Sequence, residues 1–223
     1  MASSAPIDLA ALGPDALREL IMARLAAAPR DATVEDWRIG AATPQRRAEL
    51  RRFFPTDPVH AAVLVPLVER PTGLSVLLTQ RASHLKKHPG QISFPGGRIE
   101  PRDPDVIHAA LRESEEEIGL DRSFVSIAGL LPDHLIVTGF RVTPVVGFVR
   151  AGFDLRLDPT EVDEAFEVPL AALFDPRNHV RRIRRFEDQE IELTDLPFEG
   201  RNIWGATAGM LLTFYRLLRG EDA

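Results

Sequence analysis

The sequence predicts an α+β fold: an α/β/α sandwich built on a mixed sheet, with a helical extension before it. Strand-like segments flank two helical segments irregularly, without the regular alternation of strands and helices that marks a doubly wound sheet. The chain has 223 residues, 44% of them hydrophobic, which is enough to bury a substantial core. Apolar, strand-like sequence begins close to residue 59, so we divide the chain into an extension, residues 1–58, and a main domain, residues 59–223.

The extension is predicted to contain two helices. Residues 14–28 begin with a Pro-Asp pair and place four apolar side chains at helical spacing, namely Leu17, Leu20, Ile21 and Leu25. A second, basic segment over 44–54 is also predicted to be helical, ending before Pro55 and Pro58. Neither segment carries enough apolar surface for a core of its own. We therefore expect the extension to pack on the main domain or on a partner subunit.

The main domain is predicted to contain six strands and two helices. Runs of β-branched and other apolar residues predict strands at about 61–68, 74–79, 124–131, 135–149, 179–186 and 189–194. The helices are predicted at about 104–118 and 203–218. Pro66 has no backbone N–H to donate, and it therefore predicts an edge position or a bulge for part of the first strand.

The charge balance narrows the classes of ligand. The chain has 27 Lys and Arg residues against 33 Asp and Glu residues, for a net charge of −6. That balance argues against a general nucleic-acid binder, which would need an excess of cations to hold the phosphate backbone. An anionic ligand would have to meet a local positive patch or a metal ion.

The residue types that are missing narrow the chemistry as well. The chain has no cysteine, which excludes disulfides, thiolate metal sites and cysteine nucleophiles, and leaves His, Asp and Glu as metal ligands. The N-terminus lacks the basic and apolar regions of a secretory signal, and no apolar run approaches the ~18 residues of a membrane span. We expect a cytoplasmic protein with no membrane partner.

The helix predicted over 104–118 carries an unusual cluster of carboxylates. Glu113, Glu116 and Glu117 are spaced i, i+3 and i+4, so they project from one side of the helix. They repel one another, and they lie near the helix C-terminus, where the macrodipole disfavours anions. A divalent cation would relieve both effects, and oxygen ligands of this kind select Mg²⁺ or Mn²⁺. The simpler interpretation is a solvated acidic face.

The ends of this helix are marked in the sequence. Asp103 is the predicted N-cap, Pro104 fits the first helical position, and Gly119 fits the left-handed residue after the last turn. Gly96 and Gly97 precede the helix, and two glycines there would let the backbone approach a metal ion or a phosphate closely. The pair favours a ligand site over a solvated face.

The segment from Gly97 to Leu120 resembles the signature of the Nudix hydrolases, written G-x5-E-x7-R-E-U-x-E-E-x-G-U with U an aliphatic residue. It matches at the Arg-Glu pair, the paired glutamates and the closing glycine: Arg112-Glu113, Glu116-Glu117 and Gly119-Leu120. Asp103 stands where the first Glu is usual, eight residues rather than seven precede Arg112, and Ser114 occupies an aliphatic position. The first two departures occur together in a branch that resembles coenzyme A pyrophosphatases.

A second element, over residues 77–97, supports the same branch. It is similar to the L-L-T-x-R-[SA]-x3-R-x3-G-x3-F-P-G-G element of those enzymes, with Lys86 in place of the usual Arg. A lysine holds a phosphate as a point charge but lacks the bidentate fork of arginine. Residues 203–208, near the C-terminus, are also similar to this branch.

The resemblance implies roles for individual residues. Three carboxylates would hold Mg²⁺ or Mn²⁺: Glu113, Glu116 and Glu117. Arg112 would orient a glutamate by a charge-assisted hydrogen bond, although an i, i+4 pair with Glu116 that only supports the helix is an equally simple role. The general base is expected in the signature or in the acidic loop over 159–166, where Glu161 is the candidate and a solvated acid is the alternative. The catalytic set is then Glu113, Glu116, Arg112 and Glu161.

Substrate contacts are expected on the glycine loop and on a basic patch before it. The candidates for phosphate or nucleotide contacts are Arg81, Lys86, Gly96 and Gly97. For the neighbouring Lys87 and His88 a solvated loop is at least as simple an interpretation.

A second concentration of positive charge lies between Arg177 and Arg185, where the sequence has five arginines. Four acids follow directly: Glu187, Asp188, Glu190 and Glu192. This order of charges predicts cross-strand ion pairs in a hairpin rather than a phosphate site.

The resemblance implies a metal-dependent hydrolase that cleaves the pyrophosphate bond of coenzyme A or acyl-coenzyme A, giving 3′,5′-ADP and 4′-phosphopantetheine or its acylated form. The partner would be a small-molecule nucleoside diphosphate substrate, and because related enzymes are often dimers, a homodimer is left open. Two alternatives remain. One is a Nudix hydrolase of another nucleoside diphosphate derivative such as ADP-ribose; the other is a Nudix domain that senses a ligand without hydrolysis. Loss of signature carboxylates would mark the latter, and all three are present.

Overall fold

An eight-stranded mixed sheet forms the centre of the fold, with helices on both faces. The computed structural model describes residues 7, 9–28, 56–136, 138–186 and 189–221. The helix predicted over 44–54 lies outside these residues. Within the described ranges, no helix is long and apolar enough to cross a membrane.

The elements are as follows in chain order. The described strands are β1 (Val59–Arg70), β2 (Gly73–Arg81), β3 (Ile92–Ser93), β4 (Gly96–Arg98), β5 (Val125–Leu130), β6 (His134–Ile136), β7 (Phe140–Val149), β8 (Val162–Pro169), β9 (Val180–Phe186), β10 (Gln189–Phe198) and β11 (Arg201–Ile203). The described α-helices are α1 (Pro14–Ala27), α2 (Val106–Ile118), α3 (Leu170–Leu173) and α4 (Gly205–Arg219).

The large sheet has the order β3-β2-β1-β7-β5, with β4 also paired to β1, β6 to β7 and β8 to β2. β1 and β7 run parallel, and the other described pairs are antiparallel. The sheet is therefore mixed, as predicted. β9, β10 and β11 form a separate three-stranded sheet.

The side chains of β1 alternate between two cores, as the pleat of a strand requires. One core takes Ala61, Val65 and Leu67 and is covered by α1 and α4. The other takes Ala62, Leu64 and Val68 and is covered by α2. These two cores on opposite faces of one sheet confirm the predicted sandwich.

Pro66 lies neither at a sheet edge nor at a register shift in the pairing of β1 with β7, so the prediction of an edge position or a bulge is wrong. β1 is central, and on one side it pairs with β4 at Ala61–Val63 and with β2 at Leu67–Arg70. Leu64 N–H donates to Pro95 O on that side, at 2.9 Å. By alternation the nitrogen of Pro66 faces the interval between the two neighbours, so neither ladder loses a hydrogen bond.

Helix α1 packs on the main domain. Ile21 and Leu25 are 0% and 2% exposed and belong to the core covered by α4. Arg18 forms an ion pair with Glu69, and its guanidinium lies 3.9 Å from the centre of the Phe148 ring. The described part of the extension is therefore built into the domain core.

Candidate active site

Helix α2 begins later than predicted. Asp105 is its N-cap and accepts a 2.9 Å hydrogen bond from the His108 N–H. Asp103, the predicted cap, instead accepts two hydrogen bonds from the Arg112 guanidinium, so its carboxylate is not available to the helix terminus. The helix ends as predicted at Gly119, which adopts a left-handed conformation with φ 67°.

The core-facing stripe of α2 fixes where the carboxylates point. Ala110, Ser114 and Ile118 are buried, and Leu111 packs against the same core in a partly buried position. Ser114 fits the buried stripe because its hydroxyl donates to the Ala110 carbonyl at 2.7 Å, which satisfies the polar group within the helix. The serine in an aliphatic position therefore has a structural explanation.

Arg112 holds three carboxylates together. Its Nε and Nη2 each donate to Asp103 at 2.9 Å in a bidentate pair. Its Nη1 donates to Glu113 Oε1 at 2.9 Å and to Glu116 Oε2 at 2.8 Å. Both interpretations of Arg112 are thus present in the structure: it contacts a glutamate of the signature, and it makes the i, i+4 pair. The Arg112 side chain is 13% exposed, so these charge-assisted bonds are partly shielded from solvent.

The two glycines bring backbone against the carboxylates. Gly96 N–H donates to Glu117 Oε2 at 3.0 Å. A Cβ atom on Gly96, where φ is 150°, would lie 2.4 Å from the Ala62 carbonyl oxygen, and one on Gly97 would lie 2.5 Å from Glu113 Oε2. Only glycine fits at position 96, because a Cβ there would collide with backbone, whereas a Cβ at position 97 would force the Glu113 carboxylate to move.

Burial and mutual repulsion dominate the electrostatics of this site. Burial raises the pKa of Glu117 to about 8, the Gly96 N–H opposes this, and the nearby carboxylates of Glu161 and Glu113 raise it further. Burial also raises the pKa of Glu113. Three acids therefore lie close enough to disfavour one another's ionised forms.

The donor chemistry fits a hard divalent cation, because every ligand on offer is a carboxylate oxygen or a backbone oxygen. Within the described ranges, no three His, Asp or Glu side chains stand close enough together to hold one ion as they lie. Glu116 is turned to Arg112 and Arg102, and Glu117 to Gly96. A bound cation would take over the role that these donors play, and it would relieve the repulsion around the buried Glu117.

A cavity of about 860 Å³ opens beside these groups. One part of the lining is acidic and contains Glu113, Glu117 and Glu161. The two glycines, Gly96 and Gly97, and the cation Arg81 also line the cavity. The other part runs along one face of α4, which contributes Gly205, Ala206, Gly209, Leu212, Thr213 and Arg216. The twelve residues from Gly205 to Arg216 rise roughly 16 Å along the helix axis, so the cavity lining extends about this far along α4.

Six predicted site residues meet at this cavity: Arg81, Gly96, Gly97, Glu113, Glu117 and Glu161. Three others do not line it. Arg112 lies behind Glu113, and Glu116 is 52% exposed at the rim of α2. Lys86 is exposed outside the lining, whereas Lys87 and His88 belong to it.

Several cavity residues were not singled out in the sequence. His134 lines the cavity, and burial lowers its pKa to about 4, so the ring is neutral near pH 7. It fits against α4 because position 209 is glycine, where a Cβ would lie 2.7 Å from His134 Cε1. Trp204 lies in the segment similar to the coenzyme A branch but had no assigned role. Arg216 carries no local signal, since its place depends on how α4 packs.

The predicted hairpin is present as β9 and β10, and it contains the predicted cross-strand ion pairs. Arg181 pairs with Glu192 at 3.4 Å. The acid that pairs with two of the arginines, however, was not singled out in the sequence. Asp195 forms ion pairs with Arg184 at 2.7 Å and with Arg182 at 3.2 Å. Asp195 is fully buried.

Comparisons with known proteins identify the family. The model of the NUDIX domain matches residues 58–189. "Uncharacterized Nudix hydrolase NudL" of Shigella flexneri serotype 5b (strain 8401) is 45% identical over 159 residues, covering 70% of this chain and 81% of that protein. The protein of the same name from Escherichia coli O1:K1 / APEC is 46% identical over 153 residues, 68% of this chain and 78% of that one. The crystal structure of DR0079 from Deinococcus radiodurans is similar with a TM-score of 0.47 and 14% identity, covering 71% of this chain and 83% of that one.

The chain therefore belongs to the Nudix hydrolase family. This family comprises pyrophosphate hydrolases of small nucleoside diphosphate derivatives, which generally use divalent metal ions.

Proposed function

We propose that the protein is a coenzyme A diphosphatase, which cleaves the pyrophosphate bond of coenzyme A and acyl-coenzyme A to 3′,5′-ADP and (acyl-)4′-phosphopantetheine. The observation that carries this proposal is the lining of the cavity: the carboxylates and a mostly apolar face of α4, which reaches from Gly205 to Arg216, line the same space. A volume of about 860 Å³ is at the upper end of the range for small-molecule sites.

The length of the α4 wall supports a substrate with a long chain on one side of its diphosphate. The face from Gly205 to Arg216 spans roughly 16 Å. The pantetheine arm of coenzyme A, with about a dozen bonds in line, extends to roughly 15 Å. ADP-ribose has no comparable chain, and it would leave the apolar wall exposed to water.

The proposed metal ligands are Glu113, Glu116 and Glu117, holding Mg²⁺ or Mn²⁺. A bound cation would supply positive charge against the phosphate oxygens and would activate the attacking water. Glu116 would have to leave Arg112 and Arg102 to take part, and Glu117 would have to leave the Gly96 N–H.

The other residues have roles that follow from their contacts. Arg112 positions Glu113 through a 2.9 Å hydrogen bond, and Asp103 in turn fixes Arg112. Glu161 lines the cavity at the start of β8, opposite the carboxylates of α2, and we propose it as the general base. Gly96 and Gly97 let the backbone approach the substrate diphosphate.

Positive charge for the substrate phosphates comes from the end of β2 and from the loop that follows it. Arg81 lines the cavity close enough to Glu117 to lower its pKa against the effect of burial. Lys86 was the second candidate, but Lys87 is the lysine in the cavity lining. Replacing each lysine by alanine compares them directly, and we expect Lys87→Ala to raise KM several-fold more than Lys86→Ala. A larger increase of KM in Lys86→Ala would instead assign the phosphate contact to Lys86.

The test is a mass-resolved hydrolysis screen with Mg²⁺ over coenzyme A, acetyl-coenzyme A, dephospho-coenzyme A, ADP-ribose, NADH and diadenosine polyphosphates. We expect coenzyme A or its thioester to have the highest kcat/KM, with 3′,5′-ADP among the products. Glu117→Gln should lower turnover by at least about 100-fold. Glu115→Gln is the matched control, because Glu115 lies on the same helix but pairs with Arg122 instead of facing the cavity.

Three results would overturn the proposal. Preferred hydrolysis of ADP-ribose or another diphosphate would keep the Nudix chemistry and remove the coenzyme A assignment. Full turnover by Glu117→Gln would remove the catalytic assignment of α2. Binding without hydrolysis of any compound in the screen would indicate a ligand-sensing domain.

A further inference from the structure

Trp204 is the residue immediately before α4, and it lines the cavity. One face of its indole is covered by Arg184, whose guanidinium carbon lies 4.2 Å from the ring centre. Trp204 is nonetheless only partly buried. Trp204 therefore contributes to the cavity lining while Arg184 covers one face of its ring.

The backing arginine is itself held firmly. Arg184 Nη2 donates to both oxygens of Asp195, at 3.0 Å and 2.7 Å. Asn202 Nδ2 donates to the same carboxylate at 2.8 Å, and Asp195 is 0% exposed. Three strands contribute to this arrangement: Arg184 lies on β9, Asp195 on β10 and Asn202 on β11. The orientation of the indole is thus fixed by the whole small sheet.

Burying this network of charged groups has a high free-energy cost for a surface hairpin. Burying a carboxylate costs several kcal/mol before its partners compensate, and a well-packed apolar pair is often as stable as a buried ion pair. Arg184 Nε is also buried without a hydrogen-bond partner in the described part of the chain. Stability alone does not call for this design. It does produce a rigid, flat aromatic surface at a defined place in the cavity.

Flat aromatic surfaces bind nucleobases, because every base has a π-face that stacks on an aromatic ring. The same cavity is also lined by two aliphatic residues of β10, namely Ile191 and Leu193. We propose that Trp204 is the stacking platform for the nucleobase of the substrate, and that Arg184 and Asp195 are positioning residues that hold the indole. The inference rests on the proposed function only in requiring a substrate with a nucleoside diphosphate.

The position of Trp204 relative to the carboxylates agrees with this role. Thr207 Oγ1 donates to the Ile92 carbonyl at 2.9 Å, which ties the first turn of α4 to β3. β3 leads within four residues to Gly96, the partner of Glu117. This link connects the segment that follows Trp204 to the strand that precedes the two glycines, and it agrees with a base that lies one ribose away from the diphosphate. The rest of α4 is left for the other half of the substrate.

The experiment uses tryptophan fluorescence in the whole 223-residue chain. The chain has two tryptophans, so Trp37→Phe leaves Trp204 as the only emitter. The two probes are 3′,5′-ADP, which carries adenine, and 4′-phosphopantetheine, which does not. We expect 3′,5′-ADP to quench Trp204 saturably and 4′-phosphopantetheine to leave its emission unchanged. Equal quenching by 4′-phosphopantetheine, or none by 3′,5′-ADP, overturns the proposal.

Calorimetry on variants separates the platform from its supports. Trp204→Leu should bind 3′,5′-ADP about tenfold more weakly, with the Kd of 4′-phosphopantetheine unchanged. Arg184→Lys keeps a charge for Asp195 but loses the planar group over the indole, so a smaller, several-fold loss for 3′,5′-ADP alone is expected. Arg181→Gln is the control on the same strand, since Arg181 pairs with Glu192 away from Trp204.

The outcomes remain distinct from those of the substrate screen. An unchanged Kd for 3′,5′-ADP in Trp204→Leu overturns the platform even if coenzyme A is hydrolysed. If Trp204→Leu does not fold, the quenching of Trp204 in the Trp37→Phe protein decides alone, and no quenching by 3′,5′-ADP overturns the platform. Adenine-dependent quenching in a protein that does not hydrolyse coenzyme A keeps the base site and removes only the substrate assignment. An equal loss of affinity for both probes in Arg184→Lys would show that the Asp195 network has only a structural role.

Discussion

Gly97 and Glu113 are in such close contact that a Cβ atom on the glycine would lie 2.5 Å from the carboxylate oxygen of the glutamate. Gly97→Ala should therefore displace Glu113, and a shift of about 1 Å in a catalytic group costs up to roughly 100-fold in rate. We expect kcat to fall by 10- to 100-fold, measured by steady-state hydrolysis of the preferred diphosphate. Gly13→Ala is the control, because a Cβ there has no atom within 4 Å. Unchanged kcat in Gly97→Ala would show that catalysis does not depend on a fixed position of Glu113.

Glu117→Gln should separate stability from metal binding. Glutamine can still accept the Gly96 N–H, and it removes a buried charge that Glu161 and Glu113 repel. Without divalent cation we expect the variant to melt at or above the wild-type temperature. With excess Mg²⁺ the wild type should gain about 2.7 kcal/mol at 100 times its Kd, and the variant much less. Thermal denaturation with and without Mg²⁺ measures both, and equal Mg²⁺ stabilisation of the two proteins would remove Glu117 from the ligand set.

Asp103 should make the protein sensitive to acid. Its bidentate bond from Arg112 lowers its pKa from 3.8 to about 2. A carboxyl group with a lowered pKa in the folded state stabilises the protein above its unfolded pKa and loses that contribution as pH falls through the folded value. We expect the wild type to lose on the order of 1–2 kcal/mol from this group between about pH 4 and pH 2, after allowance for screening by solvent. Asp103→Asn should lack this part of the loss in urea titrations, and parallel pH profiles for both proteins would contradict the assignment.

Helix α1 should contribute to global stability. Ile21 is fully buried in the core shared with α4, whereas its neighbour Met22 is 47% exposed. Ile21→Ala should lower the free energy of unfolding by about 2–5 kcal/mol, and Met22→Ala by less than about 1 kcal/mol. Chemical denaturation of the two variants gives the comparison. Equal small effects would mean that α1 is dispensable for the domain.

The local features of the site were predictable because they depend on near neighbours in sequence. The spacing of Glu113, Glu116 and Glu117 placed them on one side of α2, and the left-handed Gly119 ended it as expected. The N-cap was misplaced by two residues because Asp103 is captured by Arg112, nine residues away, before the helix can use it. A tertiary ion pair decided between two aspartates of equal capping propensity.

The rest of the site depends on contacts that no local pattern encodes. His134 and Gly209 are far apart in sequence, and they meet only because α4 packs against β6, a strand of the large sheet. Similarly, β8 begins in what is locally an acidic loop, and its strand is formed by pairing with β2. The hairpin charges predicted ion pairing correctly, but they could not show that Asp195 would be the buried partner.

The sheet formed by β9, β10 and β11 shares no strand with the large sheet that carries β4. If Trp204 reads the base, its supports sit on that small sheet while the bond-breaking groups sit on α2. Recognition of the base and cleavage of the pyrophosphate bond then depend on different segments of the chain. Mutational drift in the hairpin can redirect nucleoside preference across a lineage while leaving hydrolysis intact.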